Sequence, residues 1–192
     1  MKTEHFSMLT EGRFAEVIPL LEAESNATPS DRQATEDLAL GYSQCRRFTD
    51  AVRLYEDILH RFPDDPMILV NAGHCYFQLG QHQQAFVAYT KVIDQADAVA
   101  VDPQVLSLAW TNLAALYEHY TYYEEAYSRY RMAIQVYPDN QLAKKYLEQL
   151  ENLADPDNGS IGIRRLPNGA EVPALWDGSF ASNNRSRRIE RK

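Results

Sequence analysis

Apolar and small residues recur at helical spacing through most of the chain, and the helices they predict come in pairs. The stretch from Asn71 to Tyr89 shows the pattern best. Gly73 and Tyr76 share one face of a first helix, Gly80 supplies the left-handed turn residue, and Ala85 and Tyr89 share one face of the return helix. Upstream, helices are predicted to about Leu9 and from Gly12 to about Glu24, with Val17, Ile18, Leu20 and Leu21 as the apolar stripe. Pro19 inside that stripe removes a backbone donor and predicts a bend. Leu38, Ala39 and Tyr42 mark the next helix, and Ala51, Val52, Tyr55, Ile58 and Leu59 its return. Ser30 or Asp31 is placed to cap, and Asp65-Pro66 and Asp102-Pro103 each combine a capping residue with a first-turn proline.

The pairs repeat. Ala39 to Gly73, Tyr42 to Tyr76, Ala51 to Ala85, Tyr55 to Tyr89 and Pro29 to Pro63 are all steps of 34 residues. From Gly73, Tyr76, Ala85 and Tyr89 to Ala114, Tyr117, Ala126 and Tyr130 each step is 41, which is 34 plus an insertion of 7. A fixed period of this size marks a solenoid whose units bury their faces only against neighbours. The period resembles that of the tetratricopeptide repeat (TPR). The best copy runs Trp110-Thr-Asn-Leu-Ala-Ala-Leu-Tyr117, Tyr123-Glu-Glu-Ala-Tyr-Ser-Arg-Tyr130, Ala133 and Pro138-Asp139-Asn140. The departures are Arg46 and Thr121 where an inter-helix Gly is usual, and Asp97 where a closing Pro is usual.

The resemblance implies an all-α, right-handed α-solenoid over residues 1–153. It divides into a degenerate copy over 1–31, copies over 32–65, 66–99 and 107–140, an insertion over 100–106 and a capping helix over 141–153. The insertion is either a tolerated lengthening of a connection or a lip beside the groove. Residues 97–102 are expected to loop out, and the helix from Pro103 to about Tyr120 to gain a turn. Tyr117, Tyr120, Tyr122, Tyr123, Tyr127, Tyr130 and Tyr137 crowd the last copy; some either fill inter-repeat space or form an exposed aromatic patch. In the capping helix Leu142, Tyr146, Leu147 and Leu150 are expected to face inward. The tail, 154–192, differs in composition. Pro167-Asn168-Gly169 suits a short β-hairpin over 161–172, and the basic end reads as disordered. It is either a floppy terminus or a segment that docks on the array, and it offers a route to self-association.

Charge and cysteine usage narrow the function. The formal net charge of the 192 residues is −8. Residues 1–153 carry 12 Lys+Arg against 22 Asp+Glu, and residues 154–192 carry 7 against 5. An acidic body disfavours a nucleic-acid groove, which needs cations for phosphates. Cys45 and Cys75 show no metal or redox spacing and read as small packed thiols rather than a disulfide. The first residues carry no apolar run of signal-peptide length, and no run reaches the ~18 residues of a membrane span. These features together favour a reducing, cytoplasmic setting.

The search for chemistry finds no phosphate loop, no nucleophile elbow and no metalloprotease motif. His74 and His119 are the histidines expected to approach each other, and two ligands make a poor metal site. The chain therefore reads as no enzyme, with no cofactor and no metal.

The resemblance implies that first helices line a concave groove for an extended or helical partner segment. Helical register places Glu36, Leu40, Val70, Asn71, His74, Phe77, Gln78, Thr111, Asn112, Ala115, Glu118, His119 and Lys145 on that side. Asn71 and Asn112 occupy one position in successive copies; each either grips a partner backbone or ties helices together. Val70 and Phe77 suggest a protein or peptide partner with apolar side chains. The family's clamp for heat-shock chaperone tails uses Lys, Asn and Arg. Here only the Asn positions persist, beside Glu36, Leu40, Val70, His74, Leu108, Leu142 and Tyr146, so binding of a terminal Glu-Glu-Val-Asp is not expected. The leading reading is a protein-interaction adaptor. The alternatives are a chaperone similar to small type III secretion TPR chaperones, and a regulator whose tail fills its own groove.

Overall fold

The computed structural model describes residues 2–28, 30–96 and 98–152. The tail with its proposed hairpin and basic end, and Asp97, lie outside the described residues. Among these residues nine helices follow one another and no strand occurs: α1 (Thr3–Thr10), α2 (Phe14–Ala27), α3 (Arg32–Gln44), α4 (Phe48–Arg61), α5 (Pro66–Gln78), α6 (His82–Gln95), α7 (Pro103–His119), α8 (Tyr123–Val136) and α9 (Gln141–Asn152). Each packs against the next, as in a solenoid of antiparallel pairs. No described helix is long and apolar enough to cross a membrane.

The caps work as their side chains suggest. Asp31 accepts from the Gln33 amide at 2.9 Å, Asp65 from Ile68 at 3.0 Å and Asp102 from Gln104 at 2.8 Å. Such caps stabilise a helix by about 1 kcal/mol each. The four turns inside the pairs share one geometry. Gly12, Arg46, Gly80 and Thr121 sit at φ of 74°, 64°, 73° and 64°. The next amide in each case bonds five residues back: Arg13 to Met8, Arg47 to Tyr42, Gln81 to Tyr76 and Tyr122 to Tyr117. That is the Schellman bond, which satisfies the carbonyls left over at a helix end. Arg46 and Thr121 thus take the glycine conformation without being glycine.

The core repeats with the register. Tyr55, Tyr89 and Tyr130 are almost fully buried, as are Ala39, Ala51, Ala85, Ala114 and Ala126. Gly73 is small because Tyr89 lies on it: a Cβ there would stand 2.5 Å from the Tyr89 ring. α2 passes through Pro19 as one helix and buries Val17, Ile18 and Leu21. Leu20 is 44% exposed and falls off the stripe. The extra turn is present, since α7 has 17 residues against 13 in α3 and α5.

In α9 the inward set is Ala143, Tyr146, Leu147 and Leu150, while Leu142 is exposed. Asn140 sets this phase by accepting from the Ala143 amide at 2.9 Å. Each of the seven crowded tyrosines is buried or half-buried. Tyr117 meets Tyr122 edge-on at 6.5 Å, and Tyr130 lies 5.5 Å from Tyr146. Filling of inter-repeat space accounts for them.

Candidate functional site

First helices approach one another at the α5–α7 step, where the two pack directly. On the other side, α4 and α6 flank a cleft of about 560 Å³ between Leu59 and Val87, floored by Leu69, Ala72 and Tyr76. At this step the stack is therefore tighter on the side of the first helices α5 and α7.

Most of the residues that register assigns to this face reach its surface. His74, Gln78, His119 and Lys145 are exposed, and Glu36, Leu40, Asn71, Phe77, Asn112, Ala115 and Glu118 are half-buried. Val70 and Thr111 do not belong to it. Val70 is 3% exposed and packs among Leu69, Val92 and Ala109. Thr111 is 1% exposed. Its hydroxyl donates to the Ser107 carbonyl at 2.8 Å and accepts from the Asn140 amide at 2.9 Å. Both are one helical step from exposed positions, and the neighbouring helix covers that step.

The polar groups on the face differ in how much they have left to offer. Glu36 pairs with Arg32, which also holds Asp65. Glu118 accepts the Tyr130 hydroxyl at 2.8 Å. Asn71 and Asn112 make no side-chain hydrogen bond to any described residue. Their amides remain open in a surface where each could donate and accept.

An aromatic cluster closes the face at the ends of α5 and α7. Phe77 lies 5.3 Å from His82 and 5.6 Å from His119, and His82 lies 4.6 Å from His119. The Tyr120 hydroxyl is 2.7 Å from His82 Nδ1. So His82, not His74, is the ring against His119; His74 instead meets Phe48 edge-on at 6.2 Å. Register alone misses His82 because it begins a second helix, and only its place just after the Gly80 turn brings it to the first-helix ends. Burial lowers the His74 pKa below its ordinary value although the residue keeps an exposed surface. Burial, then the neighbouring His119, lowers that of His82. Both shifts favour the neutral imidazole. Cys45 and Cys75 are free thiols. Cys75 lies 3.5 Å from the Ser43 hydroxyl, and burial raises its pKa.

The tetratricopeptide-repeat family model matches residues 68–97. A search of curated proteins finds no match. Solved structures share the fold. A thermophilic TPR protein from Thermus thermophilus is similar at TM-score 0.63 and 17% identity, with 76% of each chain covered. The TPR domain of Sgt2 from Aspergillus fumigatus is similar at 0.57 and 20%, covering 79% of this chain and 94% of that one. The first TPR domain of Spaghetti (RPAP3), bound to the HSP90 peptide SRMEEVD, is similar at 0.53 and 16%, covering 63% and 90%. The period of 34, the shared turn geometry, the matched copy and these folds together make the chain a tetratricopeptide-repeat protein with an all-α solenoid fold.

Proposed function

We propose that this chain is a protein-interaction adaptor of the cytoplasm that holds an extended or helical partner segment on the face of α3, α5 and α7. The observation that carries the reading is the pair Asn71 and Asn112. They stand at one position in successive copies, half-buried, and their side-chain amides make no hydrogen bond to a described residue. Open amides at a repeat spacing suit the regular carbonyls and amides of a backbone. Phe77, Leu40 and Ala115 beside them favour apolar side chains in the partner. No step of chemistry is assigned, and nucleic acid is not the partner we infer.

The Spaghetti domain is bound to the HSP90 peptide SRMEEVD, which carries three acidic residues. This chain offers that chemistry little: residues 66–90 contain no Lys or Arg, and the carboxylates of Glu36 and Glu118 lie on the face. We therefore infer an uncharged or cationic segment and no uptake of SRMEEVD.

The experiment is quantitative capture from native lysate with two baits, the full chain and the full chain with Asn71→Ala and Asn112→Ala. The reading expects a stoichiometric client on the first bait and its loss from the second, with thermal stability unchanged. Equal capture by both overturns it. A client that is itself unstable in cells lacking this chain would mark the chaperone variant of the same reading.

A further inference from the structure

The chain leaves α9 at the edge where the binding face ends. Asn140, which starts α9, donates to Ser107 and Thr111 in the first half of α7 at 2.8 and 2.9 Å. At the far end, Glu151 accepts from Tyr127 in the first turns of α8 at 3.2 Å. α8 begins where α7 has just ended, so α9 runs parallel to α7. Asn152 therefore lies at the same edge as His119 and Gln78.

Eight residues, 153–160, separate Asn152 from Ile161. Extended, they reach at most about 26–29 Å. α5 and α7 pack directly, a step of about 8–10 Å, and the start of α9 is joined to α7 through Asn140. The following residues, Ile161-Gly-Ile-Arg-Arg-Leu166, are three apolar side chains around two guanidinium groups. The face has matching chemistry: apolar Phe77 and Ala115, open amides at Asn71 and Asn112, and the Glu118 carboxylate. No Lys or Arg between residues 66 and 90 opposes a guanidinium. Residues 1–153 carry a net −10, so the long-range field draws a cationic segment in.

We propose that residues 161–166 dock on the face of α5 and α7 in the same chain, with Arg164 and Arg165 toward Glu118, and that a partner must displace them. This rests on the reading of that face as a segment-binding groove.

The test uses the full chain and full-chain R164E/R165E. The readout is the side-chain amide NMR signals of Asn71 and Asn112, assigned through Asn71→Asp and Asn112→Asp. Docking predicts that both signals differ between the two chains and that the difference shrinks as salt rises. It also predicts that a synthetic peptide of residues 159–168 returns the R164E/R165E signals to their wild-type positions saturably. Identical signals in the two chains overturn the proposal. So does a difference that grows with protein concentration alongside dimer formation, which assigns the segment to a second copy. Self-docking alone falls if the signals are identical while client capture still depends on Asn71 and Asn112. If that capture dependence is also absent, the groove reading falls with it.

Discussion

The Tyr76 hydroxyl donates to the Glu56 carboxylate at 2.7 Å, and one repeat earlier Tyr42 donates to Glu22 at the same distance. The tyrosines and the glutamates are each 34 apart, so a second helix is tied to the next first helix by one bond used twice. Burial, then the carboxylate, pushes the Tyr42 pKa up to about 12. Tyr55 contrasts with these, since its buried hydroxyl finds no partner among the described residues. Tyr76→Phe should therefore cost roughly 0.5–1.5 kcal/mol, whereas Tyr55→Phe should be neutral or stabilising. Urea denaturation of the two variants checks this. A larger loss at Tyr55 than at Tyr76 would show that the hydroxyl bookkeeping is wrong.

Thr121 and Arg46 hold left-handed backbone that an L side chain enters at a cost of about 1–2 kcal/mol. Glycine removes that cost and returns part of it through a freer unfolded chain, about 0.4–1 kcal/mol. Thr121→Gly should raise stability by roughly 0.5–1 kcal/mol, and Gly80→Ala, at φ 73°, should lower it. Thermal melts of both variants decide the point: a destabilised Thr121→Gly contradicts the strain.

These particulars show what the sequence discloses. Helix pairing and phase are legible because Gly73, Tyr76, Ala85 and Tyr89 return at a fixed period, and burial follows the period. The half-buried positions of Asn71 and Asn112 are legible for the same reason. Val70 and Thr111 are not, because periodicity gives the direction of a side chain but not the width that a neighbouring helix covers. Thr111 also belongs to a buried polar network with Ser107 and Asn140, and polar residues read as surface unless a partner is known. His82 escaped because contacts at helix ends depend on the turn, and Arg46 and Thr121 carry no side-chain mark of positive φ.

Asn140 is the hub of that network. It donates to Ser107 and Thr111, caps α9 through Ala143, and lets Ser107 reach the Ala133 carbonyl at 2.8 Å. Asn140→Ala removes a cap and leaves two buried hydroxyls short of a donor. The expected loss is roughly 2–3 kcal/mol, or about 4–12 °C in Tm. Differential scanning calorimetry reads it, and a loss below about 1 kcal/mol would mean that water replaces the amide.

His74 and His82 have pKa values lowered from the ordinary 6.5. Below 6.5 the unfolded chain then binds more protons than the native one. Their contribution to stability is complete above 6.5 and is lost as pH falls through the native values. Denaturation midpoints should drop between about pH 7.5 and about 5.5, where carboxylates are still ionised. Replacing both with Gln should flatten that slope. An unchanged slope in the double variant would place the titration elsewhere.

The central claim is that the inner face of α5 and α7 holds a partner segment. Hydrogen–deuterium exchange of the full chain, with and without a captured client, tests it most directly. The account predicts new protection over Pro66–Gln78 and Pro103–His119, lost when Asn71 and Asn112 are both Ala. Protection confined to Phe48–Arg61, His82–Gln95 and Tyr123–Val136, the helices of the opposite side, would contradict it.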